Sequence, residues 1–164
     1  SRIVVISNLP YYITSSILIK LLTTPAPYAA LITMVQQEVA IRIVNNQGGK
    51  DFNELSLLAQ LFATTQLPLQ VAKQDFYPKP DVDSAIVVFQ DICFNKEDAS
   101  FVALIRALFT QRRKTIYNNL LAISLSKEVI LETLKTLSIS PSTRAEALDL
   151  TTLQLLYRHL KPYF

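Results

Sequence analysis

The chain opens on an uninterrupted β-branched run, Ile3-Val4-Val5-Ile6. Its lack of alternation predicts a parallel strand over 3–7, buried on both faces. Pro10 ends that strand. The next stretch, "ITSSILIKLL", places apolar residues at helical spacing and predicts a helix over 13–22. Asn8 to Tyr12 therefore sit on the turn leaving the C-terminal edge of a sheet, where open α/β sheets take their ligands. "TTPAPY" reads as a loop broken by Pro25 and Pro27. A second buried strand follows over 29–36 and a short helix over 37–44. A polar loop containing Gly48 and Gly49, where flexibility should concentrate, spans 45–53, and an amphipathic helix spans 54–65. Residues 67–74 read as a strand, "DFYPKPDV" as an extended proline-locked loop, and "DSAIVVFQ" as a further strand. The spacing permits an antiparallel pair between those last two strands.

After about residue 95 only helical spacing remains, with breaks near Thr110-Gln111, at Ser124 to Ser126, and around "SISPSTRAEAL". The last helix, "TTLQLLYRHL", ends at Pro162. The expected organisation is an α/β part over 1–93 joined to a small all-helical part over 96–164.

Composition narrows the possible chemistry. Half of the 164 residues are hydrophobic and 18% are charged, enough apolar material for a sizeable core. The only two glycines are adjacent, so these residues contain no glycine-rich nucleotide loop. One cysteine, Cys93, rules out an internal disulfide, and with one histidine a His/Cys metal site is not expected. No apolar run reaches membrane-spanning length and no signal-peptide pattern opens the chain, so a cytoplasmic setting is expected. A core strand starting almost at residue 1 suggests a piece of a larger protein. Charge is uneven. Up to residue 95 there are 6 basic and 7 acidic side chains, and from 96 onward 10 and 6, so the helical part carries the positive field.

The tetrapeptide Asn8-Leu9-Pro10-Tyr11 offers a carboxamide, a backbone fixed by proline, and a flat ring. A carboxamide oxygen with a backbone carbonyl can grip an exocyclic amino group while a ring stacks on the base, which suits a flipped-out adenine. The same residues are also ordinary turn punctuation. No general base is evident, and Asp75 and Asp81 read as loop-capping or solvated residues. Arg112-Arg113-Lys114, expected at a helix start, oppose the helix dipole there and read either as phosphate contacts or as a solvated face. Lys79 and Arg42 are weaker candidates for phosphate contact. His159 reads as a surface or partly packed residue.

In context the chain resembles the KsgA family, the small-subunit rRNA adenine dimethyltransferases, and shares much of the pattern of the related Erm methyltransferases. The resemblance rests on "NLPYYITSSILIKLL", on "MVQQEVAIRI" with "FNELSLLAQL", on "DFYPKPDVDSAIVVF", and on "FTQRRKTIYNNL" in the helical part. It implies the C-terminal half of a Rossmann-like methyltransferase sheet dependent on S-adenosylmethionine (SAM), followed by a small helical domain. It further implies that Asn8 accepts from the adenine N6 amino group beside the SAM methyl. The Leu9 and Pro10 backbone would complete the amino-group site, with Pro10 also bordering SAM. Tyr11 would stack on the base and Phe76 would flank it, although a core role for Phe76 is also open. The implied substrate is two adjacent adenines near the 3′ end of small-subunit rRNA, methylated during subunit assembly. The alternatives are an Erm-type large-subunit enzyme and a non-catalytic RNA-binding assembly factor. The family's main SAM-binding half precedes the first motif, so these residues alone are expected to be inactive and to self-associate through the exposed edge of strand 3–7.

Overall fold

The structure is a computed structural model that describes residues 2–44 and 52–163. The chain forms an α/β fold with a mixed four-stranded sheet, in two compact units. The first holds residues 2–44 and Leu55–Lys96; the second holds 52–54 and 97–163. Phe52 and Glu54 thus belong with the helical part, which the expected boundary at residues 93–96 did not anticipate.

In the first unit, β1 (Ile3–Asn8), α1 (Thr14–Leu22), β2 (Tyr28–Gln36), α2 (Gln37–Val44), α3 (Glu54–Phe62, from Leu55 on), β3 (Thr64–Val71) and β4 (Ser84–Gln90) follow in order. The sheet order is β1-β2-β4-β3. β1 and β2 run parallel, while β4 is antiparallel to both β2 and β3. The expected β3–β4 pairing is present; the antiparallel β2–β4 pairing makes the sheet mixed.

Register explains which face is covered. Leu31, Thr33 and Val35 of β2 and Ala85, Val87 and Phe89 of β4 are fully buried. They belong to a core with Leu18 and Leu22 of α1, Ala40 and Ile43 of α2, and Leu55 and Ala59 of α3, apart from the buried hydroxyl of Thr33. The intervening residues look the other way. Ile6 lies opposite Ile32, which lies opposite Val88, and all three are at least partly exposed.

That pattern corrects the reading of β1. Ile3, Val4 and Ile6 are 44%, 53% and 75% exposed rather than buried. Among the described residues β1 pairs only with β2, so it is an edge strand with one open face. Two boundaries also move. α3 ends at Phe62, three residues early, and the Ala63 amide closes it on Ala59. The chain then enters β3 at once through Thr64 and Thr65, β-branched residues suited to a strand, and a 3₁₀ turn occupies Lys73–Asp75. Pro68 falls where the β3–β4 register shifts, a place where a strand tolerates a missing donor.

The second unit packs α4 (Ala99–Thr110), α5 (Ile116–Ala122), α6 (Lys127–Thr136) and α7 (Leu150–Leu160) around Leu104, Ile105, Leu108, Ile116, Leu120, Ile130, Leu153 and Leu156. The breaks fall where the sequence placed them. Thr115, Ser126 and Asp149 each accept a backbone N–H at the start of α5, α6 and α7. Phe52 packs edge-to-face on Phe109 at 6.4 Å, and Glu54 accepts from Arg106 Nε at 3.1 Å. Of the predicted polar loop, residues 45–51 lie outside the described residues. No described helix is long and apolar enough to cross a membrane.

Candidate active site

Strand β1 delivers the first wall of the site. Asn8, its last residue, follows the side-chain alternation of Val4 and Ile6 and so stands on the open face, where it is exposed. Leu9 turns the other way and buries its side chain in the core. The Leu9 amide donates to the Met34 carbonyl at 3.4 Å, extending the ladder by one bond. Anchored by side chain and amide, Leu9 borders the cleft, and no donor among the described residues bonds to its carbonyl.

Pro10 behaves differently. Its carbonyl accepts both the Ile13 amide at 3.2 Å and the Thr14 hydroxyl at 3.0 Å. Both lone pairs are engaged in the turn that starts α1. Fixed φ at Pro10 thus launches the helix, and of the two carbonyls expected at an amino-group site, that of Leu9 is the one left available.

Tyr11 opens a 3₁₀ turn, and its hydroxyl is 2.8 Å from Ser84 Oγ. Ser84, fully buried, is the first residue of β4. This bond joins the turn after β1 to the strand two places across the sheet and fixes the direction of the ring's long axis. Phe76 comes from the loop between β3 and β4. Asp83 organises that loop: its Oδ1 accepts the Lys73 amide at 2.8 Å and its carbonyl accepts the Gln37 amide at 3.0 Å. Lys73 Nζ donates to the Asp81 carbonyl at 3.2 Å. The loop-holding carboxylate is therefore Asp83, while Asp75 and Asp81 are exposed.

The structure brings Asn8, Leu9, Pro10, Tyr11 and Phe76 together around one cleft of about 380 Å³, completed by Pro78 and Pro80. Among the described residues its lining carries no charged side chain. Such a surface suits a neutral planar ring: apolar and aromatic residues, with a carboxamide from Asn8 and the unbonded carbonyl of Leu9 among the residues that border it. Sequence reading missed Asp83 and Ser84 as the residues that hold this cleft. The signal was present in "VDSA", quoted above without a role.

The basic candidates separate. Arg112, Arg113 and Lys114 line another concavity of about 420 Å³ with Thr110 and Gln111, in the second unit. They lie in the turn between α4 and α5, not in a helix, so the expected conflict with the α5 dipole does not arise in the form anticipated. Arg112 is partly held by Glu146 at 3.2 Å, while Arg113 and Lys114 are exposed. Asn119, buried, donates to the Leu108 carbonyl at 2.8 Å and ties α5 to α4 beneath this turn. Lys79 is exposed between the two cleft prolines. Arg42 forms an ion pair with Glu38 one turn earlier in α2. His159 is exposed, its Nδ1 2.9 Å from the Leu155 carbonyl.

Comparison with known proteins gives a consistent result. The family model described as Ribosomal RNA adenine dimethylase matches residues 1–159. Ribosomal RNA small subunit methyltransferase A from Mycoplasma mycoides subsp. mycoides SC is 42% identical over 153 residues, covering 91% of this chain and 58% of that protein. The protein of the same name from Lysinibacillus sphaericus is 40% identical over 171 residues, covering 99% and 58%. Among solved structures, a dimethyladenosine transferase from Plasmodium falciparum superposes with a TM-score of 0.73 at 24% identity, covering 97% of this chain and 66% of that one. The 23S rRNA methyltransferase ErmE gives 0.67 at 18%, covering 98% and 66%. The chain thus spans little more than half the length of the curated relatives it matches.

Proposed function

The chain belongs to the ribosomal RNA adenine dimethylase family, and from that premise we propose that its first unit receives the target base of a SAM-dependent adenine N6,N6-dimethyltransferase. The substrate in this reading is a pair of adjacent adenines near the 3′ end of small-subunit rRNA, modified in the cytoplasm during subunit assembly. The observation that carries the reading is the uncharged cleft joining Asn8 and the free Leu9 carbonyl to the rings of Tyr11 and Phe76.

The residues divide the work. An adenine amino nitrogen is a poor nucleophile because its lone pair is delocalised into the ring. Asn8 Oδ1 and the Leu9 carbonyl would each accept one of its N–H bonds, favouring a pyramidal nitrogen whose lone pair points out of the ring plane. Tyr11, held by Ser84, and Phe76 would sandwich the base and fix the line of approach, a positioning effect that can supply several kcal/mol of the barrier, roughly 7–11 at most. SAM, when bound, supplies an electrophilic methyl. The exposed carboxamide of Asn8 and ring of Pro10 fit its methyl end, but no described segment is a glycine-rich cradle. The rest of the cofactor would be held by elements outside these residues, and this chain by itself would not turn over. In the second unit, Arg113 and Lys114, with Arg112, would contact rRNA phosphates, with Lys79 adding charge beside the cleft.

A small-subunit target is favoured over an Erm-type large-subunit target by the names and identities of the curated relatives. A non-catalytic RNA-binding role is favoured only by the basic turn. The test is transfer of labelled methyl from SAM to undermethylated small subunits, comparing this chain with the product of the whole reading frame that encodes it. Label in rRNA adenine with the longer product alone supports the full reading. Steeply salt-dependent subunit binding without label from either supports the assembly-factor reading. We also propose that this chain, isolated, self-associates through the β1 edge and the open face carrying Val4 and Ile6. Light scattering at micromolar concentration should show dimers or larger species; a monomer contradicts this.

A further inference from the structure

Each of the two segments that form the cleft carries a second aromatic ring immediately after the one that lines it. Tyr12 follows Tyr11, and Tyr77 follows Phe76. The outer pair is treated differently by the fold. Tyr12 is 87% exposed and Tyr77 fully exposed, against 37% for Tyr11. Neither outer ring packs on another aromatic ring, and neither hydroxyl is hydrogen-bonded among the described residues. A tyrosine so placed leaves a large apolar surface in water with no structural return. Two of them, each one step along the chain from a cleft wall, are not explained by packing.

We propose that Tyr12 and Tyr77 are stacking platforms for the bases that flank the target nucleotide in single-stranded RNA. This rests on the target-base reading above and extends it from one nucleotide to the neighbours. A base drawn out of its stack leaves adjacent bases with a bare face. An exposed ring beside the cleft replaces the lost stacking partner, without choosing among bases because each has a π-face. The occupant is an RNA base rather than an apolar protein surface. The cleft between the two segments is large enough for a base and has no charged lining side chain among the described residues, Lys79 stands two residues from Tyr77 where it would meet a phosphate, and the family acts on RNA.

The experiment uses this chain with two probes: adenosine monophosphate, which can fill only the cleft, and a five-nucleotide single-stranded RNA with a central adenine flanked by 2-aminopurine. Tyr12→Ala and Tyr77→Ala should each weaken RNA binding between about 5-fold and about 150-fold and relieve 2-aminopurine quenching. Tyr12→Phe and Tyr77→Phe should stay within about 2-fold of the parent, and no outer-ring variant should change binding of the monophosphate. Alanine variants that bind the RNA like the parent overturn the proposal, even where Tyr11→Ala abolishes monophosphate binding and so upholds the cleft. Loss in the Phe variants equal to that in the Ala variants also overturns it, because the hydroxyl and not the ring would then be the contact. Absence of RNA binding by the parent overturns it together with the target-base reading.

Discussion

The cleft at the end of β1 and the basic turn between α4 and α5 enclose similar volumes, about 380 and 420 Å³, with opposite chemistry. One is lined by prolines, rings, a leucine and a single carboxamide. The other is lined by a threonine, a glutamine and three cations. In the proposed reading the first would recognise what a base is: its ring, its amino group, its flatness. The second would recognise only that a phosphate is present. The held groups differ as well. Tyr11 and the β3–β4 loop are pinned by Ser84 and Asp83, whereas Arg113 and Lys114 are exposed. A reacting base must be fixed in position, while a backbone contact can remain adaptable and still contribute affinity.

The largest expected effect breaks the comparison on the side of chemistry. Asn8→Ala in the whole reading-frame product should lower methyl transfer by about 10²–10³-fold, as loss of one charge-organising contact does elsewhere. Its affinity for rRNA should stay within about 2-fold. Next, Arg113→Ala combined with Lys114→Ala should weaken binding of any single-stranded RNA. It should reduce the slope of log K against log salt by about 1.4, two phosphate contacts at ~0.7 each. Tyr11→Ala should leave that slope unchanged, and titration by fluorescence anisotropy over a range of salt checks both. A smaller effect follows from Tyr11→Phe, which keeps the ring but removes the bond to Ser84. It should cost ~1 kcal/mol of ring positioning, seen as a several-fold drop in transfer rate.

The smallest effect concerns the helical unit's own stability. Asp149 accepts bonds from the Thr152 side chain and backbone, which hold its carboxyl below the ordinary aspartate value. Asp149→Ala should destabilise this unit by ~1 kcal/mol near neutral pH. Because the folded value is the lower one, the contribution is complete above the unfolded value of about 3.9. It disappears as pH falls through the folded value, so parent and variant should converge in acid. Urea melts at several pH values test this.

Much of the arrangement was legible because local rules and global fold agree. The turn at Asn8–Tyr11, the helix over 37–44 and the breaks between α4, α5, α6 and α7 all carry proline, capping or periodic signals. The exposure of β1 was legible only through the family resemblance, which implied an exposed edge for strand 3–7, and not in the run itself. A β-branched run reports that a strand wants cover, not whether these residues supply it. Nor could the sequence show that the Pro10 carbonyl is spent on Ile13 and Thr14 while that of Leu9 is free, since both precede a helix. Ser84 and Asp83 went unassigned because a serine and an aspartate opening a strand look like ordinary punctuation. Their partners lie ten or more residues away.

The account turns on whether the amino group of the target adenine is held at Asn8. The most direct measurement is methyl transfer from labelled SAM to undermethylated small subunits, by the whole reading-frame product and by its Asn8→Ala form, with subunit binding measured in the same samples. The account predicts label recovered as N6,N6-dimethyladenosine with the parent, and label reduced at least about 10²-fold in the variant at matched occupancy. Undiminished label in the variant would contradict it.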